Sequence, residues 1–434
     1  MNYQELYEKK KGTLEDCLGQ FESGDIISFA GDCNGAVEIM THLHTIADRV
    51  EGVEAVKGHE GYYKFVSEPG MNGHINTGGF FYGRNFIDGQ PHGNTSYIVT
   101  DLCDYGNFIS AYKDYNVFVA TVTPMDENGN FQVGLCMMWE KETLEKVRQS
   151  PKKKIILEVN PNLSRVRGGI DINIEEVTCF MEVDYAIQEV PSLVANEDEI
   201  KVAQNVRSLM RDGDCIQLGI GSLPNAIAEQ CMDLKDLGLH TEMATTTMGE
   251  MIRRGIITGE RKNLNKGEHI FTFAGGDRAL YDTLSENKAC RIVPANYGVN
   301  PVIIMQNDNM VSINTCIEMD LTGQVCSESI GPKQFSGSGG GFDYAYGALH
   351  SKGGRGIIAF TSVTKKGYSK IKTMLTTGAN ITIPRNYVDY IVTEYGIACM
   401  RGRSVRERVE QLIAIAHPDF RAELRQDAEK LFYI

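Results

Sequence analysis

Two apolar rhythms alternate along the chain. Short runs rich in branched residues, such as DIISFA (25–30), NVFVATVTP (116–124) and KKIILEVN (153–160), have the length and character of buried β-strands. Between strands lie stretches with helical spacing, of which AVEIMTHLHTIADRV (36–50) is one. After Glu189 the same alternation restarts. KVAQNVRSLMRDG (201–213) reads as a helix ending at Gly213, CIQLGIG (215–221) as a buried strand, and LPNAIAEQCMDL (223–234) as a helix with Pro224 in its first turn. LGLHTEMATTTM (237–248) alternates apolar and polar positions as a strand does, and it carries one carboxylate, Glu242. Further strands are read at IFTFA (270–274), VSINTCIEMD (311–320), RGIIAFTSV (355–363) and YVDYIVTEYG (387–396). The last helix is SVRERVEQLIAIA (404–416), with Ser404 as N-cap and a stop at His417-Pro418.

Strands alternating with helices specify an α/β protein built on largely parallel sheets flanked by helices. With 434 residues the chain exceeds one comfortable core, so two α/β domains are expected. The boundary falls in VPSLVANEDEI (190–200), giving domains of residues 1–195 and 196–434. The 45 glycines favour many tight turns between strand and helix over a helical bundle. A net charge of −14 argues against nucleic-acid or membrane-surface partners. No apolar run reaches the ~18–20 residues of a membrane span, and MNYQELYEKKKG lacks a signal peptide's apolar centre, so a cytoplasmic location is expected. The eleven cysteines contain no CxxC pair and are read as reduced and buried. The histidines lack a metal-ligand spacing next to the cysteines, and the pair in HLH, His42 and His44, would diverge on a helix; no metal site is expected.

Four stretches carry chemistry. In QLGIGSLPNAIAEQ a strand runs through Gly219, Ile220, Gly221 and Ser222 into a helix, so amides at a helix N-terminus are open to a phosphate or an oxyanion; a turn tight for packing alone is the other reading. Glu242 lies on the following strand. Consecutive βα units place their C-terminal strand ends side by side, so its carboxylate and the glycine amides share one crevice, unless it is a strand-end acid paired with Arg253 or Arg254. Residues 337–341, Gly-Ser-Gly-Gly-Gly between Phe335 and Phe342, read as a loop whose backbone touches an extended ligand rather than as a linker. From Tyr344 to Val388 there is no acid, yet Lys352, Arg355, Lys365, Lys366, Lys370, Lys372 and Arg385 occur, which reads either as a landing site for a polyanion or as a solvated face. A nucleotide-linked oxidoreductase would need GxGxxG and an acid ~20 residues on, and no βα unit here opens that way.

GIGSLPNAIA (219–228), LGLHTEM (237–243), INTCIEMDLTGQVCSESIGPKQFSGSGG (313–340) and IVTEYGIACMRGRSVRERVEQLIAIAHPDFRAEL (391–424) together resemble the acetyl-CoA hydrolase/transferase family. The likeness is strongest to its 4-hydroxybutyrate and butyrate CoA-transferase branch. It implies an enzyme moving coenzyme A between a small acyl-CoA and a free carboxylate of the acetate, butyrate or 4-hydroxybutyrate type. The route it implies is ping-pong, through a glutamyl-CoA thioester in a cleft between the domains. Glu242 is then the nucleophile; Gly219, Ile220, Gly221, Ser222 and Leu223 meet CoA and an oxyanion; Ile317, Gly339, Gly340 and Lys370 line CoA. Coenzyme A is a substrate with no permanently bound cofactor, and a homodimer is implied. The alternative within the family is an acyl-CoA hydrolase using the same site. Two departures stand out: Ala244-Thr245-Thr246-Thr247 after HTEM, where the branch has a Ser-Asp-Gly-like turn, and Gly341 where it commonly has Gln. The segment GYYKFVSEPGMNGHINTGGFFYGRNFIDGQPHGN (61–94) is unlike the family, and Arg84, His92 or Arg165 are the candidates for holding a second carboxylate.

Overall fold

The computed structural model describes residues 2–56 and 63–434, so Gly61 and Tyr62 of the unfamiliar segment lie outside the described residues. The chain separates into two compact units, residues 1–190 with 271–297, and residues 191–270 with 298–434. The chain passes between the units after residues 190, 270 and 297, and the second of these points falls inside the strand His269–Ala274.

The first unit is built on a seven-stranded sheet in the order Thr95–Tyr97, Ile75–Gly79, Val53–Val56, Ile26–Phe29, Val117–Val122, Lys154–Val159, Cys179–Glu182. Every pairing is parallel. Strands covered on both faces must be apolar throughout, and Val117–Val122 is buried at all six positions. The stretch 36–50, read as one helix, is an α-helix over Val37–His42 followed by a 3₁₀ segment, Leu43–Arg49. Residues 271–297 add the helix Arg278–Glu286 and the strand Cys290–Ile292, tied in by Met137 N–H to Thr272 O (2.9 Å) and Ile292 N–H to Arg167 O (3.0 Å).

In the second unit the strands Gly238–Ala244, Cys215–Leu218, Met310–Asn314, Arg355–Ala359, Tyr390–Thr393 and Gly396–Cys399 follow one another across the sheet. Gly396–Cys399 runs antiparallel to its neighbour. Cys215–Leu218 is flanked by a later strand on each side, which makes its C-terminal end a topological switch point, where open α/β sheets bind ligands. The helix over 201–213 is shorter than expected and earlier, Glu197–Arg207; Gly213, at φ +82°, instead makes the turn into the strand. VSINTCIEMD splits into Met310–Asn314 and Glu318–Asp320, the latter joining a small sheet with Val325–Cys326 and Ile371–Lys372. Val405–Ile415 begins at Ser404 with a full capping box, but it is not the last helix. Pro418, expected to stop it, occupies the first turn of a further helix, Pro418–Lys430, where a missing N–H costs nothing.

All eleven cysteines are free thiols, and ten are buried. Among the described residues no helix is long and apolar enough to cross a membrane, and no group of three or more His, Cys, Asp or Glu side chains is placed to hold a metal ion. One buried ion pair anchors the sheet of the second unit: Arg355 donates to the Asp214 carboxylate and to Leu209 O, with both side chains out of solvent. Arg355→Met leaves Asp214 as an uncompensated buried charge and should cost ~3–5 kcal/mol in urea unfolding at neutral pH. Asp214→Leu in the same chain should recover most of that loss.

Candidate active site

The site is assembled at the switch point of the second unit. Cys215 is level with Gly238 and Ile216 with Leu239. Carried four residues past the Cys215–Gly238 pair, this register brings Glu242 level with Gly219, where the neighbouring strand has just ended. Every residue of the strand Gly238–Ala244 is buried except Glu242, which is half-buried. Gly219 donates its amide to Ile313 O (3.1 Å), which fixes the start of the turn. Gly221 has φ +118°, a conformation closed to residues with a side chain, and it caps the helix Ser222–Gln230. Ile220 is exposed on that turn and Leu223 is buried beneath it, while the Ser222 hydroxyl is turned to Glu199 (2.7 Å).

The glycine loop meets the carboxylate directly. Gly339 has φ +53°, and Gly340 caps the ten-residue helix Gly341–His350. The Gly340 amide donates to Glu242 Oε2 at 3.0 Å. A carboxylate at a helix N-terminus is favoured both by the unpaired amide and by the helix dipole. Position 340 has no room for a side chain: a Cβ there would lie 2.5 Å from Glu242 Oε2 and 2.6 Å from Val299 Cγ1.

Behind Glu242 on the same strand face sits His240, wholly buried. Its Nε2 lies 2.9 Å from Gly298 O, and burial holds its pKa down at about 3. Lys262, also buried, donates to Leu239 O and Glu268 O, both at 2.9 Å, and burial lowers its pKa as well. Gly238 makes its passage possible, since a Cβ there would sit 2.6 Å from Lys262 Cγ. His269 lies nearby, lowered to about 4 chiefly by burial and secondarily by the Lys262 charge. Neither His240 nor Lys262 is among the residues the sequence singled out. The available signal was the strand period, which puts His240 on the face of Glu242.

The Ala244–Thr247 departure makes an ordinary strand-to-helix crossing. Ala244 ends the strand, extended Thr245 caps the helix Thr246–Arg253, and the Thr247 hydroxyl is 3.5 Å from Asn225 Oδ1. Of the arginines offered as structural partners of Glu242, Arg254 is paired with Glu250 at 3.1 Å. Ile317 and Lys370 each directly precede a strand of the small sheet, with Ile317 N–H donating to Cys326 O (2.9 Å) and Lys370 O accepting from Met319 N–H (2.9 Å). The Lys370 ammonium lies 5.9 Å from the centre of the Phe360 ring.

The acid-free basic stretch is only in part an anion-facing surface. Arg355 is spent on Asp214, Lys372 on buried Glu318 (2.5 Å), and Lys352 approaches Asp308 (3.7 Å). Their acids come from outside the stretch, so a local count of charge could not see them. Lys365, Lys366 and Arg385 are exposed. In the first unit, Arg165 is neutralised by Asp126 and Asp171, each at 2.8 Å, and Arg84 pairs with Asp88 at 2.8 Å. A cavity of about 270 Å³ in that unit is lined by Ala30, Asp32, Cys33, Tyr63, Tyr185 and Gln188 among others; neither arginine nor His92 lines it. Asp32, at φ +44°, follows the strand Ile26–Phe29 by three residues.

Comparison with known proteins adds the following. Residues 276–428 match the family described as the acetyl-CoA hydrolase/transferase C-terminal domain. The chain is 35% identical to the 4-hydroxybutyrate coenzyme A transferase of Clostridium kluyveri, over the whole of both chains. It is 37% identical to the probable butyrate:acetyl-CoA coenzyme A-transferase of Syntrophomonas wolfei, covering 99% of this chain and 98% of that one. Among solved structures, RipA from Yersinia pestis superposes with a TM-score of 0.93 at 32% identity, over the full length of both chains.

The depressed histidines fix a pH dependence. A folded pKa below the unfolded value of 6.5 gives stability that is complete above pH 6.5 and is lost as pH falls toward the folded value, about 4 for His269. The loss is ~1.4 kcal/mol per pH unit. Between pH 6.5 and 4.5, where the slope is reduced near each end, His269→Gln should therefore lose about 2 kcal/mol less unfolding free energy than the wild type in urea titrations.

Proposed function

Because the chain belongs to the acetyl-CoA hydrolase/transferase family and is a CoA-transferase, we propose that Glu242 is its covalent nucleophile and that the Gly340 amide is aimed at the charge formed on it. The observation that carries this reading is the 3.0 Å contact from Gly340 N–H to Glu242 Oε2 at a helix N-terminus.

A carboxylate with an ordinary pKa near ~4.3 is ionised at neutral pH and attacks without a general base. A Glu242 oxygen adds to the acyl-CoA carbonyl and the C–S bond breaks, giving a mixed anhydride and the CoA thiolate. The thiolate then attacks the glutamyl carbonyl carbon, the first carboxylate leaves, and Glu242 carries CoA as a thioester. While that carbon is tetrahedral, negative charge sits on the oxygen Gly340 already faces, so the amide needs no reorganisation to stabilise it. A second carboxylate reverses both steps, which is ping-pong exchange. The Gly219–Leu223 turn offers further amides at a helix start beside the same strand end. Ile317 and Lys370 are assigned to the CoA chain, with Lys365 and Lys366 as exposed cations in the same stretch. Acids of the acetate, butyrate and 4-hydroxybutyrate type are the substrates assigned, in keeping with what the two relatives are named for.

Rapid quenching after mixing with butyryl-CoA, followed by peptide mass spectrometry, should find CoA attached to the peptide containing Glu242, and none in Glu242→Ala. Wild-type protein left unmodified by acetyl-, butyryl- and 4-hydroxybutyryl-CoA would overturn the assignment. Release of free CoA without an added acid, at a rate matching turnover, would instead make the chain a hydrolase. Gly340→Ala, whose methyl would collide with the carboxylate, should slow adduct formation ~10²–10³-fold, the usual cost of one oxyanion donor, with the fold intact by circular dichroism.

A further inference from the structure

Glu242 and Gly340 are joined on one side by a segment that belongs to neither, residues 298–300. Gly298 O accepts two hydrogen bonds, from His240 Nε2 at 2.9 Å and from Tyr344 Oη at 2.8 Å. The imidazole tautomer follows from its neighbours. A carbonyl can only accept, so Nε2 carries the proton. Nδ1 is then an acceptor, and it faces Asn307 Nδ2 at 3.5 Å. The orientation of the Asn307 amide is set independently, because its Oδ1 takes the Leu264 amide at 3.2 Å. His240, Tyr344 and Asn307 are all buried.

The two donors to Gly298 come from the two elements that carry the proposed chemistry. His240 precedes Glu242 by one strand repeat on the same face. Tyr344 is one turn into the helix that Gly340 caps. The residue after Gly298 is Val299, whose Cγ1 would be 2.6 Å from a Cβ at position 340, so Val299 fills the space beside the Gly340 amide. The same helix is pressed against residues 301–304 at Gly347, where a Cβ would stand 2.5 Å from Ile304 Cγ2. The carbonyl of Gly298 is thus a shared pin. It ties the strand of Glu242 to the helix of Gly340 and seats Val299 against the point where they meet.

We propose that His240 is a positioning residue, a neutral donor whose Nε2–H to Gly298 O, together with the Tyr344 hydroxyl, sets the distance between the Glu242 carboxylate and the Gly340 amide. This rests on the assignment of Glu242 as nucleophile. His240 touches no reacting atom and passes no proton. Its burial keeps the ring uncharged at neutral pH, so Nδ1 stays an acceptor toward Asn307 while Nε2–H holds Gly298 O.

The test compares His240→Leu, which removes the donor, with His240→Gln, whose amide replaces Nε2–H, and with Tyr344→Phe, which removes the second donor. All are read by the rate of CoA-adduct formation on Glu242 and by kcat and KM for acyl-CoA. His240→Leu should lower the adduct rate and kcat ~10–100-fold, the cost of a displacement of about 1 Å, with KM within about twofold. His240→Gln should restore most of the rate, and Tyr344→Phe should lose less than His240→Leu but in the same parameter. The wild-type adduct rate should show no step near pH 6.5. A wild-type rate in folded His240→Leu, equal losses in the Gln and Leu variants, or an imidazole titration in the pH profile would each overturn the proposal. If both His240 variants fail to fold, wild-type kcat in Tyr344→Phe overturns it and a lowered kcat at unchanged KM supports it. A wild type that forms no adduct defeats the nucleophile assignment itself; an adduct formed equally fast in every variant defeats only the role of His240.

Discussion

The contact between the Gly340 amide and the Glu242 carboxylate constrains both backbones at once, because it is short and because position 340 admits no side chain. A hydrogen bond between two side chains tolerates rotamer adjustment at either end. Here one partner is main chain and the other stands on a strand whose remaining positions are all buried, so neither has slack. The contact therefore depends on strand register, on where the helix Gly341–His350 begins, and on the packing of the segment after Gly298. Each of these is fixed by groups well removed from the carboxylate. Lys262 reaches through the gap left by Gly238 to hold Leu239 O, and Arg355 bridges Asp214 and Leu209 O where the parallel strands of the same sheet begin.

Burying an ammonium group against two carbonyls, Leu239 O and Glu268 O, is costly. The cost is offset in part by these two directed bonds at the base of the strand that bears Glu242. The histidines beside it respond by remaining neutral. Neutral imidazoles therefore stand behind Glu242 wherever its carboxylate is ionised.

Much of this was readable in the residues. The α/β class followed from apolar runs of strand length alternating with helical spacing. The glycine turn, Glu242 and the Gly-Ser-Gly-Gly-Gly loop stood out because their residue types are poor choices for plain packing. What the sequence could not reveal depended on partners distant along the chain. Arg355, Lys372 and Arg165 looked available for an anion until Asp214, Glu318, and Asp126 with Asp171 were found against them. His240 was in view from the start, but only the fold supplies Gly298, 58 positions away, as the reason for its presence. Pro418 misled for a different reason: the residue type that ends a helix is the same one that best begins the next.

Residues 271–297 give the molecule an interleaved chain order. The first unit does not contain all of its parts until Tyr297 has been made, and by then much of the second unit, residues 191–270, already exists as chain. On the ribosome the Met137 and Arg167 backbones must wait for Thr272 and Ile292, so the earlier half of the protein matures in the presence of the later one. Cutting after Val190 would not release a domain; it would leave a sheet without the helix and strand that complete its unit. The two halves are two bodies in space and a single undertaking in synthesis.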